Sequence, residues 1–150
     1  MKFYSPADGN VVPLTEVSDQ AFSSEALGKG IAVKPINGTI VSPIAGTVSA
    51  VYPTAHAYGI KGNNNEEILV HIGIDTVNLN GKYFKSHVSE GDKVKKGKLL
   101  VEFDMDAIKK EGYDLITPVV VTNISDYIKA VCMEKEDAAV NAGDKFLTIV

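Results

Sequence analysis

The chain has 150 residues, a net charge of −4 and a single cysteine. Folding a chain of this length hides about 68–70% of its unfolded surface, enough for one real core, and a lone cysteine excludes an internal disulfide. The lysines are spread without a basic stripe, which argues against nucleic acid or an anionic membrane as partner, and no run approaches the roughly 20 apolar residues of a membrane span. Residues 1–150 are therefore expected to form one domain whose partner is a protein or a small anion. Met1-Lys2-Phe3-Tyr4-Ser5-Pro6 has no apolar signal-peptide core, so a soluble cytoplasmic chain is expected.

In chain order, short Val- and Ile-rich segments punctuated by Gly, Pro and Asn predict an all-β fold. They include Gly30-Ile31-Ala32-Val33, Gly38-Thr39-Ile40-Val41, Gly46-Thr47-Val48-Ser49-Ala50-Val51 and Pro118-Val119-Val120-Val121. One or two short helices are expected, the clearest with Asp104 as N-cap, Asp106 in its first turn, Lys109 and Lys110 near its end and Gly112 as its stop. Cys132, in the apolar run Ala130-Val131-Cys132-Met133, reads as a buried small side chain. Ser5-Pro6-Ala7-Asp8-Gly9-Asn10-Val11 is similar to Ser42-Pro43-Ile44-Ala45-Gly46-Thr47-Val48. Glu90-Gly91-Asp92-Lys93 before Leu99-Leu100-Val101 is matched by Ala142-Gly143-Asp144-Lys145 before Leu147-Thr148-Ile149. These pairs predict an antiparallel β-sandwich or barrel-like fold of two related halves, although tetrapeptides alone can match through shared turn chemistry.

His56 and His71 lie symmetrically about Gly62-Asn63-Asn64-Asn65. A hairpin turn centred between Asn63 and Asn64 would set the two imidazoles opposite each other on one face, whereas a turn shifted by one residue would separate them. Alternation puts Ile68, Val70 and Ile72 toward the core and Leu69 and His71 on the other face. With His56 facing His71, Thr54 and Tyr58 join the histidine face, and Ala55, Ala57 and Gly59 lie beneath. Apolar side chains around two groups that titrate near neutrality suggest a docking surface around reactive chemistry, phosphoryl transfer or metal binding. A neutral imidazole nitrogen attacks phosphorus well when its other nitrogen is held by a hydrogen bond, and His71 reads as the carrier, His56 as the donor beside it and Thr54 as its orienter. His87, in Lys85-Ser86-His87, reads as a solvated histidine.

Val70-His71-Ile72-Gly73-Ile74-Asp75-Thr76-Val77 resembles the phosphorylation-site motif of glucose-type enzyme IIA domains of the bacterial phosphoenolpyruvate-dependent sugar phosphotransferase system. Thr54-Ala55-His56-Ala57, Gly81-Lys82-Tyr83-Phe84 and Leu115-Ile116-Thr117-Pro118-Val119-Val120-Val121 extend the resemblance over nearly the whole chain. It implies a phosphocarrier that takes phosphate from the histidine-containing protein HPr onto His71 Nε2 and passes it to a cysteine of an EIIB domain. His56 matches the second active-site histidine and Thr54 its hydrogen-bonding partner. Asp19 and Asp75 match acidic residues beside the site. The docking surface maps to Ala21, Phe22, Ala26, Leu27, Tyr52, Tyr58 and Leu69. No cofactor is implied, although His56 and His71 could hold zinc adventitiously or for regulation.

Asn65 stands where the motif usually has glycine, and asparagine tolerates left-handed backbone better than most residues. Ala21 and Ala26 are smaller than the usual rim aliphatics. Three other readings remain. A regulatory IIA-like interaction domain could keep the fold without the chemistry. A lysostaphin-type zinc peptidase would use the His71…Asp75 spacing, but its His-x-His is missing and zinc hydrolysis needs three protein ligands. A biotinyl or lipoyl carrier would need a lysine in Glu102-Phe103-Asp104-Met105-Asp106, which has none.

Overall fold

Segments rich in β-branched residues form strands wherever Gly, Pro or Asn does not turn the chain. The computed structural model describes residues 2–123, 131–133 and 138–149. Its strands are β1 (Lys2–Tyr4), β2 (Gly9–Pro13), β3 (Lys29–Pro35), β4 (Thr39–Val41), β5 (Gly46–Val51), β6 (Ala57–Gly62) and β7 (Glu67–His71), followed by β8 (Phe84–Ser86), β9 (Lys93–Val94), β10 (Leu99–Phe103), β11 (Thr117–Val121), β12 (Val131–Met133), β13 (Ala139–Val140) and β14 (Lys145–Ile149). An eight-stranded sheet, ordered β13-β2-β3-β11-β7-β6-β5-β9, packs on two three-stranded sheets, β1-β14-β12 and β4-β10-β8. Every pairing is antiparallel.

The main core lies between these layers, where Val11, Val33, Val48, Ile60, Ile68, Val70 and Val119 from the large sheet meet Phe3, Ile40, Leu100, Val101 and Phe146 from the small ones. A second cluster covers the opposite face of the large sheet, with Val12, Ala32 and Val120 beneath Leu14, Val17 and Phe22. The chain between β2 and β3 supplies that cover through a 3-10 turn at Leu14–Glu16 and a short helix α1 (Gln20–Ser23), the second of the one or two helices expected, whose position the sequence does not mark. The clearest expected helix is α2 (Met105–Lys110), capped by Asp104, whose carboxylate accepts from Ala107 N–H at 3.1 Å, and followed by Gly112 at φ +92°. The reading of Cys132 concerns a side chain outside those described.

The register shows the duplication directly. Leu99 faces Val41 as Lys145 faces Tyr4, and Val94 faces Gly46 as Val140 faces Gly9. The two Ser-Pro segments cross symmetrically, with Tyr4 N–H donating to Pro43 O at 3.0 Å and Val41 N–H to Pro6 O at 2.8 Å. In both segments the serine hydroxyl donates to a carbonyl two residues on, Ser5 to Ala7 O and Ser42 to Ile44 O, each at 2.7 Å. The second sequence repeat needs realignment. Gly143 corresponds to Gly97, not Gly91, because Gly143 N–H donates to Ser5 O and Gly97 N–H to Ser42 O, both at 2.9 Å. The matching tetrapeptides reflected turn chemistry: Asp92 and Asp144 each accept from the backbone N–H three residues earlier.

The β6–β7 hairpin also differs from expectation by one residue. Its turn spans Asn63, Asn64 and Asn65, closed by Gly62 N–H to Glu66 O at 2.8 Å, with Asn65 in the left-handed region at φ +64°. A three-residue loop ending in a left-handed residue is a common hairpin closure, and it adds one residue to the expected two-residue turn. Ala57 therefore faces His71 and Tyr58 faces Val70. Because side chains alternate with period two, that shift sends Tyr58 into the core, where it is 0% exposed, and removes it from the docking surface.

Candidate functional site

His71 ends β7 on the outer face of the large sheet, on the same side as Leu69. His56 reaches it by a route that strand alternation does not provide. It precedes β6, in a tight turn where Ala55 N–H donates to Tyr52 O at 2.7 Å, Tyr52 N–H donates to Ala57 O at 3.1 Å and Ala55 is left-handed at φ +58°. Its carbonyl then accepts from Ile72 N–H at 2.7 Å, which ties the backbones of the two histidine segments together. The imidazoles lie edge to face, with centroids 4.9 Å apart and planes at 86°. The expected juxtaposition is present, although the expected register is not its cause.

The two rings differ in exposure. His56 is 2% exposed, so it lies beneath the surface instead of standing beside His71 at the exterior. The Tyr52 ring packs edge to face with it, with centroids 5.5 Å apart and planes at 84°. His71 is partly exposed and has Phe22 against its ring at 5.1 Å. Phe22 itself is 2% exposed, which makes it a packing platform for His71 and not an exposed docking contact.

Each imidazole is held at Nδ1. His71 Nδ1 lies 2.8 Å from the carbonyl of Gly73. A carbonyl only accepts, so Nδ1 carries the proton and Nε2 keeps the lone pair. His56 Nδ1 is bonded to the Thr54 hydroxyl, as the sequence reading expected. Burial, reinforced by the neighbouring His71, lowers the His56 pKa from 6.5 to about 4. Burial also lowers His71, opposed by the Gly73 hydrogen bond and by the negative charges of Asp19 and Asp75. Both rings are thus neutral at pH 7, the form in which a nitrogen lone pair is available.

Asp19 caps α1 by accepting from Ala21 N–H at 2.9 Å, and this cap brings its carboxylate into the field of His71. Asp75 enters the 3-10 turn at Thr76–Leu79 in a left-handed conformation, φ +60°, and its negative charge also acts on His71. Ala26 is exposed, while Ala21 and Leu69 are half-buried. Leu27 is 42% exposed and Tyr52 43%, and with Leu69, Ala50 and Gly59 they line a hollow of about 270 Å³. Val77, 47% exposed just after Asp75, was not singled out from the sequence. Nor were the Gly73 carbonyl and its neighbours Thr76 and Asp114, because a backbone acceptor has no residue-type signature.

His87 lies outside this cluster and pairs with Glu102, Nε2 to Oε1 at 2.7 Å. Glu102 and Phe103 end β10, and Asp104 caps α2, so this stretch is not the lysine-bearing hairpin tip a biotinyl or lipoyl carrier needs. Among the described residues, no group of three or more His, Cys, Asp or Glu is placed to hold a metal ion.

Residues 1–127 match the model of the family described as phosphoenolpyruvate-dependent sugar phosphotransferase system, EIIA 1. The chain is 41% identical over 147 residues to the glucose-specific EIIA component of Halalkalibacterium halodurans, covering 98% of this chain and 84% of that protein. It is 49% identical over 145 residues to the beta-glucoside-specific EIIBCA component of the same organism, covering 97% of this chain and 22% of the relative. The chain thus spans about a fifth of such multicomponent relatives. Its fold superposes on the glucose permease IIA from Mycoplasma capricolum with a TM-score of 0.89 at 33% identity, covering 98% of this chain and 94% of that one.

Proposed function

Because the chain belongs to the EIIA 1 family of the phosphoenolpyruvate-dependent sugar phosphotransferase system, we propose that His71 Nε2 accepts a phosphoryl group from phosphorylated HPr and passes it to a cysteine of an EIIB domain. The observation that carries this reading is the His71 Nδ1–H bond to Gly73 O, which leaves the Nε2 lone pair free beside a second imidazole. In the first step that lone pair forms a bond to phosphorus while the bond from phosphorus to the donor nitrogen breaks, the donor nitrogen keeping the electron pair. The Nδ1 proton stays on His71. Positive charge develops on the ring and is offset by the Gly73 carbonyl, Asp19 and Asp75. In the second step a thiolate attacks phosphorus, the P–N bond breaks and the pair returns to Nε2.

His56 supports the transfer as a neutral donor. When the Thr54 hydroxyl donates to Nδ1, His56 carries its proton on Nε2, from which it can bond a phosphoryl oxygen. Transfer of this kind asks the protein for positioning and charge stabilisation more than for covalent chemistry. The exposed rim of Leu27, Tyr52, Ala26 and Val77 gives both partners an apolar surface around the reacting nitrogen. The same reading puts the domain in the cytoplasm, where phosphoenolpyruvate is made. Among the described residues no helix is long and apolar enough to cross a membrane.

Zinc at His56 and His71 is a subordinate proposal. With both Nδ1 atoms engaged, at most two Nε2 ligands remain, that of His56 only in the tautomer whose Nδ1 donates to Thr54, fewer than the three protein ligands of a hydrolytic centre. Zinc held there would need ligands from outside the chain, and no step of the transfer runs through it.

Incubation with phosphoenolpyruvate, enzyme I and HPr, followed by mapping of the modified residue, tests the reading. Label on His71 that is labile to acid and stable to alkali is the expected result, and an acid-stable adduct on a hydroxyl would overturn it. His56→Gln is expected to accept phosphate and to fail in its delivery to EIIB.

A further inference from the structure

The carbonyl that holds His71 is itself held. Gly73 sits at φ +78°, where a Cβ would lie 2.6 Å from Thr76 Cγ2 and 2.9 Å from Asp114 O. Glycine rotates more freely than other residues, so neighbours must set the direction of its carbonyl. Both peptide planes flanking Gly73 are clamped at each end. In the plane between residues 72 and 73, Ile72 O accepts from Thr76 Oγ1 and Gly73 N–H donates to Ile116 O at 3.1 Å. In the plane between residues 73 and 74, Ile74 N–H donates to Asp114 O at 2.9 Å and Gly73 O accepts from His71 Nδ1 at 2.8 Å. The first plane fixes φ of Gly73 and the second fixes ψ.

Apart from His71 itself, the Thr76 hydroxyl is the side-chain member of this clamp; the other partners are backbone groups. Thr76 is fully buried, so water does not replace the hydroxyl if it is removed. Asp114 secures the facing segment, which leads into β11, by accepting from Ile116 N–H through Oδ1 at 2.9 Å.

We propose that Thr76 is a positioning residue for phosphoryl transfer, holding the Gly73 carbonyl where it keeps the proton on His71 Nδ1 and the lone pair on Nε2. The proposal deepens the phosphocarrier reading and rests on it. Thr76 touches no reacting atom. As the Nε2–P bond forms and the donor P–N bond breaks, the clamp keeps the Nδ1 proton on the ring, so the electron pair that attacks phosphorus is always the one on Nε2.

Thr76→Val preserves side-chain shape and removes the hydroxyl. Nitrogen-15 NMR of the unphosphorylated protein reads the His71 tautomer without any partner. In the valine variant the ratio of Nδ1–H to Nε2–H forms is expected to fall about tenfold, the effect of losing one buried hydrogen bond. The rate of phosphate uptake from phosphorylated HPr should fall about 10–100-fold, as for other residues that orient a reacting histidine. The HPr concentration giving half the maximal rate should stay within about twofold, since the docking surface is untouched. Thr76→Ser should restore both readouts. Thr76→Cys, a weak donor of similar size, must shift the same tautomer ratio and covers the case in which the valine variant does not fold. A folded variant lacking the hydroxyl that keeps the wild-type tautomer ratio and rate overturns the proposal. A wild-type protein that takes no phosphate, while its tautomer still responds to residue 76, would overturn the phosphocarrier reading and with it the purpose assigned to the clamp.

Discussion

His71 and Val120 occupy the same place in the two halves of one duplicated framework, yet one is half-open beside a second imidazole and the other is sealed. His71 faces Ala57 across the β6–β7 ladder, and Val120 faces Gly30 across the β3–β11 ladder. Tyr58 and Ile31 follow at the next position in each half, both turned into the core. The difference lies in the connections. Residues 14–28 join β2 to β3 and fold Leu14, Val17 and Phe22 over Val120, whereas residues 52–56 join β5 to β6 in a tight turn that delivers His56 to His71. A common β scaffold positions both places, and its loops decide which of them is covered and which is left open beside a second imidazole.

The largest expected effect comes from importing one half's residue into the other. His71→Val should remove phosphate uptake altogether, while far-UV circular dichroism stays that of the wild type, because Val120 shows that the framework accepts valine at this place. Retained uptake would mean that the nucleophile lies elsewhere. Next comes Phe22→Ala, which removes the ring that packs on both Val120's cluster and His71. Truncating a buried Phe costs about 3–5 kcal/mol, and a urea titration should show a lower midpoint with an unchanged slope. A loss below about 1 kcal/mol would place Phe22 outside the packed cover.

The pattern of Val and Ile made the strands legible, the capping residues Asp104 and Gly112 made α2 legible, and matched Ser-Pro segments made the repeat legible, since each depends on local propensity or on residues near in sequence. The histidine pair was legible for a reason that was partly wrong. Asn63, Asn64 and Asn65 all favour turns, so composition did not say whether two or three of them close the hairpin, and that single residue decided whether Tyr58 pointed to solvent or to the core. His56 still meets His71 because of the left-handed Ala55, a conformation that alanine does not advertise. The Gly73 clamp was hidden for a similar reason: its acceptors are carbonyls brought together from residues 72, 73, 114 and 116.

Acid should separate the halves next. The unfolded chain protonates His56 near 6.5, whereas the folded chain holds it neutral down to about 4. Between those values the unfolded state binds more protons, so stability falls as pH drops from 6.5 toward 4, levels below that, and is unaffected above 6.5. The loss attributable to His56 is about 3 kcal/mol at the acid end. Denaturant titrations of wild type and His56→Gln at matched pH values should converge as pH falls toward 4. Parallel curves would show that His56 is not held neutral by the fold.

The smallest effect is expected at the rim, where the connection that covers Val120 reaches across to the open half. Leu27 is 42% exposed and lines the hollow beside Tyr52 and Leu69. Its replacement by serine removes little buried surface, so stability should change by no more than about 0.5 kcal/mol. A docking role predicts a different signature in kinetics. The HPr concentration for half-maximal phosphorylation should rise about fivefold, on the order of 1 kcal/mol of binding, with the maximal rate unchanged, because the residue contacts the partner and not the reacting nitrogen. A drop in maximal rate at unchanged half-saturation would instead connect Leu27 to the positioning of His71 and erase the distinction between rim and histidine pair.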